Sequence, residues 1–172
     1  MKKLTYLVVF VILGVGIVVA QDLVSFLHGT IKKVDSATKT IVVKSADGTE
    51  HTIKITDASV VKGSKDGFNG LKEGTEVVAR TTGKGADETA TEIGKVGKDG
   101  FMATKGTVEK FDKDAKTLVI KGADGTEKTF EVSDKAVEDA GKATGAGIAK
   151  GSKITVYYTE DAGKKVAHYL SQ

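Results

Sequence analysis

Few residues of this 172-residue chain suggest chemistry: three histidines (His28, His51 and His168), one arginine (Arg80) and two short motifs. The first motif, "SATK" at 36–39, has the Ser-x-x-Lys spacing in which a lysine helps to activate a serine nucleophile. That chemistry needs the serine at a helix start beside a large cleft, whereas this stretch falls between two strand patterns and reads as a turn. The second motif, "DKDAK" at 112–116, sets two carboxylates two residues apart but lacks the glycine and distal glutamate of a calcium loop. A solvated turn is the expectation there. The histidines suggest zinc only if a site is assembled across two parts of the chain; read singly, they are exposed strand residues. No catalytic residue, metal ligand or cofactor is therefore expected.

The elements that would position any site come from a repeat. Shifting the chain by 77 residues lays 29–61 over 106–138, with 16 of 33 positions identical. Most other exchanges are like for like: Ile31 with Val108, Val34 with Phe111, Ile53 with Phe130. A period this long exceeds the roughly 20–50 residues of stacked solenoid units and indicates a duplicated domain. Each copy reads as β. "GTIKKVD", "KTIVVK" and "EHTIKI" are rich in Thr and β-branched residues. "ADG" supplies the Asp-Gly of a tight hairpin between the second and third. Ile31 and Val34 lie three apart rather than two, as do Val108 and Phe111, which predicts a bulge in the first strand of each copy. A crossover follows, helical in the second copy, where Ser133 or Asp134 is the expected cap. A two-strand hairpin then closes the module. Three strands, a crossover and a hairpin form the chain order of an OB-like barrel, with an SH3-like barrel as the alternative.

The first twenty residues stand apart: Lys2 and Lys3 precede an apolar run that ends in small residues before Gln21 and Asp22. They are read as a secretory signal, the alternative being an uncleaved anchor, which would be the chain's only membrane attachment. Without the two leader lysines the chain carries 24 Lys+Arg against 23 Asp+Glu. Near neutrality and alternating charges argue against nucleic-acid binding, which wants a dense cationic footprint. There is no cysteine, so the exported chain must hold together by burial rather than by disulfides. The expected organisation is a signal segment over 1–20, a first barrel module over 26–97, a linker over 98–104 and a second barrel module over 105–172.

The spacing Gly-x-Ile/Val-x-x-Val/Phe-Asp, Thr-Ile/Leu-x-Val/Ile-Lys and Asp-Gly-Thr-Glu resembles a widespread group of exported bacterial OB-like domains, many of unknown function. By strand order the pattern is also similar to the periplasmic copper-chaperone barrel. That resemblance implies a fold but not the copper site, which requires a His, two Met and a Trp. This chain has no Trp, and Met102 is its one methionine beyond the leader.

A modest binding signal remains on the closing hairpins. Strand alternation turns Tyr158 inward and Tyr157 outward, and Tyr157 occupies the place of Arg80 in the first copy. Tyr169 occupies the place of Glu92. Tyr157, Tyr169 and Arg80 are accordingly expected as an exposed contact patch. The expected function is an exported, non-enzymatic binding or structural module of the cell envelope or extracellular space, periplasmic or secreted. Its partner would be a protein, a polysaccharide or a second copy. Periplasmic metal handling is the alternative.

Overall fold

The computed structural model describes residues 24–142 and 148–172; the leader read over 1–20 lies outside them. Six strands build the first half: β1 (Ser25–Asp35), β2 (Thr40–Ser45), β3 (Glu50–Lys54), β4 (Val60–Lys62), β5 (Glu76–Thr82) and β6 (Thr89–Lys95). Long, curved β1 pairs with both β2 and β5, and β5 pairs with β6. A parallel contact of β3 with β6, Lys54 beside Thr89, closes the ring. The second half repeats the plan with β7 (Met102–Asp112), β8 (Thr117–Lys121), β9 (Glu127–Val132), β10 (Lys153–Asp161) and β11 (Lys164–Ser171), closed by parallel β9–β11 pairing. In each barrel the first strand pairs with the second and with the leading strand of the closing hairpin (β5 or β10), and the hairpin's last strand (β6 or β11) lies between that strand and the third. Both halves are therefore OB-like barrels.

The same local devices recur at positions 77 apart. Register slips past Lys32 in β1 and past Glu109 in β7, so the three-residue apolar spacing does mark a bulge in each barrel. A second pair of bulges, at Thr91 in β6 and His168 in β11, bends the last strands. Asp35 Oδ1 accepts the amides of Ala37 and Thr38, and Asp112 Oδ1 accepts that of Ala115, which fixes the first turns. "SATK" is thus a turn. These backbone donors hold both carboxyls below their ordinary range. Gly29 and Gly106 sit where the first strand crosses the carbonyl of Lys44 or Lys121 so closely that a Cβ would collide with it.

Each barrel has its own core. Ile31, Ile41, Val43, Ile53, Val77 and Ile93 fill the first, and Val108, Leu118, Ile120, Phe130, Ile154 and Val156 fill the second, with Tyr158 inward as expected. The crossovers differ. In the second barrel Ser133 Oγ accepts the Ala136 amide and starts α1 (Asp134–Lys142). In the first barrel, glycines at 63, 67 and 70 disfavour a helix, and the chain instead adds β4 beside β6 and a short 3-10 turn (Gly67–Gly70). The short strand β4 was not anticipated. Between the barrels, the Gly97 amide donates to the Phe101 carbonyl and the Phe101 amide to the Lys95 carbonyl, so this connection is a folded turn carrying a fully buried Phe101.

Candidate functional site

The outer faces of the two closing hairpins meet. Val78 on β5, Phe101 in the connection, Tyr157 on β10 and Tyr169 on β11 form a third buried cluster, with Phe26 and Val96 packed against it. Phe26 lies over both tyrosines at centroid separations of 5.7 and 5.4 Å, and Phe101 meets Tyr169 edge-on at 5.3 Å. Such pairs add about 0.5–1.5 kcal/mol each beyond the area they bury. Residues paired across one hairpin are the counterparts of those paired across the other: Arg80 opposite Glu92 in the first barrel, Tyr157 opposite Tyr169 in the second.

Arg80 crosses this seam. Its guanidinium lies 4.8 Å above the Tyr169 ring, donates to Glu92 Oε2 within its own barrel at 2.8 Å, and reaches Asp139 on α1 of the other barrel at 2.6 and 2.9 Å. Lys62 from β4 stands 2.9 Å from Glu92 Oε1, an ion-pair distance whose angles fall short of a hydrogen bond. Burial works to raise the Glu92 carboxyl; Lys62 and Arg80 outweigh it and hold the group below its ordinary value. Burial raises both tyrosines: Tyr157, also facing Glu76, is pushed up to about 12, and Tyr169 further. Tyr169 Oη is buried without a hydrogen-bond partner among the described residues.

His168 occupies the bulge of β11 at the same seam. Its Nδ1 lies 3.4 Å from Lys62 Nζ and its Nε2 2.9 Å from Thr159 Oγ1. A lysine ammonium only donates, so Nδ1 is the acceptor, Nε2 carries the proton, and the ring is neutral. Burial first, then the adjacent Lys62 and Arg80 charges, push this imidazole down to about 4 despite Glu92 nearby.

The expected exposed patch is therefore corrected. Tyr157, Tyr169 and Arg80 do point outward from their barrels and do come together, but at 4, 2 and 6% exposure they face the other barrel rather than solvent. Alternation within a strand tells inside from outside and cannot tell what covers the outside. The signal that was available is the pairing of a charged couple in one copy with an aromatic couple in the other, flanked by Phe26 and Phe101. Nor are the histidines simple exposed strand residues. His168 is half-buried at the seam. His51 is half-buried, with Nδ1 3.0 Å from buried Glu88, whose other oxygen accepts Thr81 Oγ1 at 2.8 Å. His28 is half-buried against Glu76 at 2.6 Å.

The open surface offers a polar groove of about 630 Å³ between the loop after β4 and the barrel connection. Lys65, Lys72 and Lys95 line it together with Asp66 and Asp99. Among the described residues no group of three or more His, Cys, Asp or Glu could hold a metal ion, and no helix is long and apolar enough to cross a membrane. Met102 starts β7 and packs against the second core, so the residues here do not fit the copper-chaperone ligand set.

No protein-family model matches the chain, and no curated protein matches it in sequence. Among solved structures it is similar to apo-CusF (residues 6–88) from Escherichia coli, with 21% identity, 43% of this chain and 88% of that one covered, and a TM-score of 0.34. It is similar to Ag(I)-bound CusF (residues 10–88) from the same organism at 21% identity, 43% and 92% coverage and a TM-score of 0.35. A further crystal structure of Ag(I)CusF matches at 19% identity, 41% and 93% coverage and 0.33. Each match spans less than half of this chain.

Proposed function

We propose that the protein is an exported, non-enzymatic binding or structural module of the cell envelope or extracellular space, built as one two-barrel body. The observation that supports this reading is where its reactive side chains go. The single arginine, the buried acids Glu92 and Glu88, and the histidines all engage internal partners, and the seam between the barrels takes up Arg80, Glu92, Asp139, Lys62 and His168. What faces solvent is a mixed lysine–carboxylate surface with a shallow polar groove, suited to holding a polymer or protein by distributed contacts. The seam changes how two modules would act. Rather than two tethered hands that gain by effective concentration, they present one fixed surface.

The test is co-sedimentation of the full chain without its leader with washed cell-envelope material from the producing organism. The variant Lys65→Glu/Lys72→Glu/Lys95→Glu is run beside it. Retention of the native chain, reduced in the variant and by added salt, supports the reading and places the contact at the groove. Absence of retention of both refutes an envelope role. Periplasmic metal handling is the competing reading. A thermal-shift series with copper, zinc and nickel separates the two, since a ligand that binds only the folded state must raise its stability. A rise with any of the three favours metal handling.

A further inference from the structure

We propose that the seam between the barrels is an acid-operated latch: a proton taken up at Nδ1 of His168 displaces Lys62, parts the barrels and uncovers the aromatic cluster of Phe26, Phe101, Tyr157 and Tyr169. This regulatory role is independent of what the protein binds.

The geometry around the imidazole carries the argument. Both ring nitrogens are committed in the closed seam, Nδ1 as acceptor from the Lys62 ammonium and Nε2 as donor to Thr159 on β10. A proton has only Nδ1 to go to. Once there it removes the acceptor and sets a second cation 3.4 Å from the first. The other groups facing this point do not supply relief. Arg80 on β5 is a third cation and already touches the His168 carbonyl at 3.5 Å. Asp139 on α1 is held by Arg80, and Glu92 on β6 is divided between Arg80 and Lys62, with Lys135 of α1 also acting on it. The remaining neighbour, Phe101, stacks on the ring at 5.1 Å and offers no charge.

Opening relieves this because His168 is then solvated. Lys62 belongs to the first barrel and His168 to the second, so parting the barrels separates the like charges. The sign follows from a base whose closed-state value lies below its exposed value. Its contribution to closure is complete above about pH 6.5 and is lost as the pH falls toward 4. A single group so shifted lowers the ratio of closed to open by about a hundredfold between pH 7 and pH 4. The equivalent bulge of the first barrel carries no titrating group: Thr91 sits there, and its hydroxyl donates to the Arg80 carbonyl of its own hairpin at 3.1 Å.

The decisive comparison is between the native chain and His168→Thr, which borrows the residue of that other bulge. Radius of gyration by small-angle scattering and far-ultraviolet circular dichroism are followed from pH 7.5 downward. The native chain should expand between pH 6.5 and pH 4 while its strand signal is kept, and His168→Thr should stay compact through pH 4. The latch is refuted if the native chain stays compact to pH 4, if both chains expand at the same pH, or if strand signal and compactness are lost together. Should His168→Thr fail to fold at neutral pH, Lys62→Gln takes its place. Without the opposing ammonium, the His168 resonance should titrate nearer 6.5 and expansion should move to lower pH. An unchanged titration and expansion in that variant would refute the latch equally.

Discussion

Gly94 and Phe101 offer the sharpest check on the seam, because the sign of one substitution should depend on the other. Gly94 lies in β6 with ordinary strand backbone, and a methyl group there would be driven into the Phe101 ring. Phe101 is fully buried, held between His168 and Tyr169, so the ring has little room to retreat. Two terms compete in Gly94→Ala. Fewer backbone states in the unfolded chain favour the alanine by about 0.4–1 kcal/mol where the fold accepts it, while overpacking costs about 1–3 kcal/mol. In the native background the clash wins, and a net loss of about 0.5–2 kcal/mol is expected. Phe101→Ala alone should cost about 3–5 kcal/mol through the cavity it leaves. In that background the clash is gone and Gly94→Ala should become neutral or stabilising by up to about 1 kcal/mol. The four proteins of the cycle are compared by urea midpoint at constant slope, with a coupling of about 1–3 kcal/mol expected, each change costing less in the presence of the other than alone. If Gly94→Ala is neutral or stabilising in both backgrounds, the ring does not rest on Gly94 and the seam as described is wrong.

Three further outcomes are expected. Arg80→Ala should cost about 3–5 kcal/mol in thermal or urea unfolding, because it leaves Glu92 buried with Lys62 as its sole cation in direct contact and frees Asp139 across the seam. Gly29→Ala and Gly106→Ala should each destabilise their barrel, by about 1–3 kcal/mol, with Gly29→Ala the worse since its Cβ would press harder on a backbone carbonyl; the urea midpoints rank them. In an alkaline titration followed by tyrosinate absorbance, Tyr157 should ionise only near pH 12. Because its folded value is raised above the ordinary 10, the stability it contributes is present below pH 10 and is lost as the pH climbs toward 12, and Tyr157→Phe should remove that step.

Much of the architecture was legible because it rests on local chemistry stated twice. Asp-Gly after an alternating run and the Ile31–Val34 and Val108–Phe111 spacings each act within a few residues of themselves, and the repeat confirms them against chance; the Ser133 cap is equally local but occurs only in the second copy. Inward positions such as Phe130 and Tyr158 followed from period-two alternation. What was not legible lies between elements. β4 is three residues long, its Val60 is exposed, and its pairing with β6 is made across thirty residues of chain, so no periodicity announces it. The first strands begin at Ser25 and Met102, earlier than the apolar pattern indicates, because their opening residues pair with β5 and β10 and serve the seam rather than a core. The candidate site suffered most from this. Tyr157, Tyr169 and Arg80 were correctly placed outside their barrels, and only tertiary packing turns that outside into an interior.

The unequal chemistry of the two matched hairpins also bears on how many molecules come together. Had both copies kept Arg80 and Glu92, or both kept a tyrosine pair, each face would fit its own kind. Any barrel could then have joined any other, within a chain or between chains, with nothing to stop growth. A cationic–anionic couple on one face and an aromatic couple on the other instead let the two faces of one chain pair with each other, the guanidinium over a tyrosine ring. Joined by a folded turn of a few residues, each face finds its counterpart in the same chain before it meets a neighbour's. The contact closes within the chain, so the two matched faces are covered by each other rather than left open.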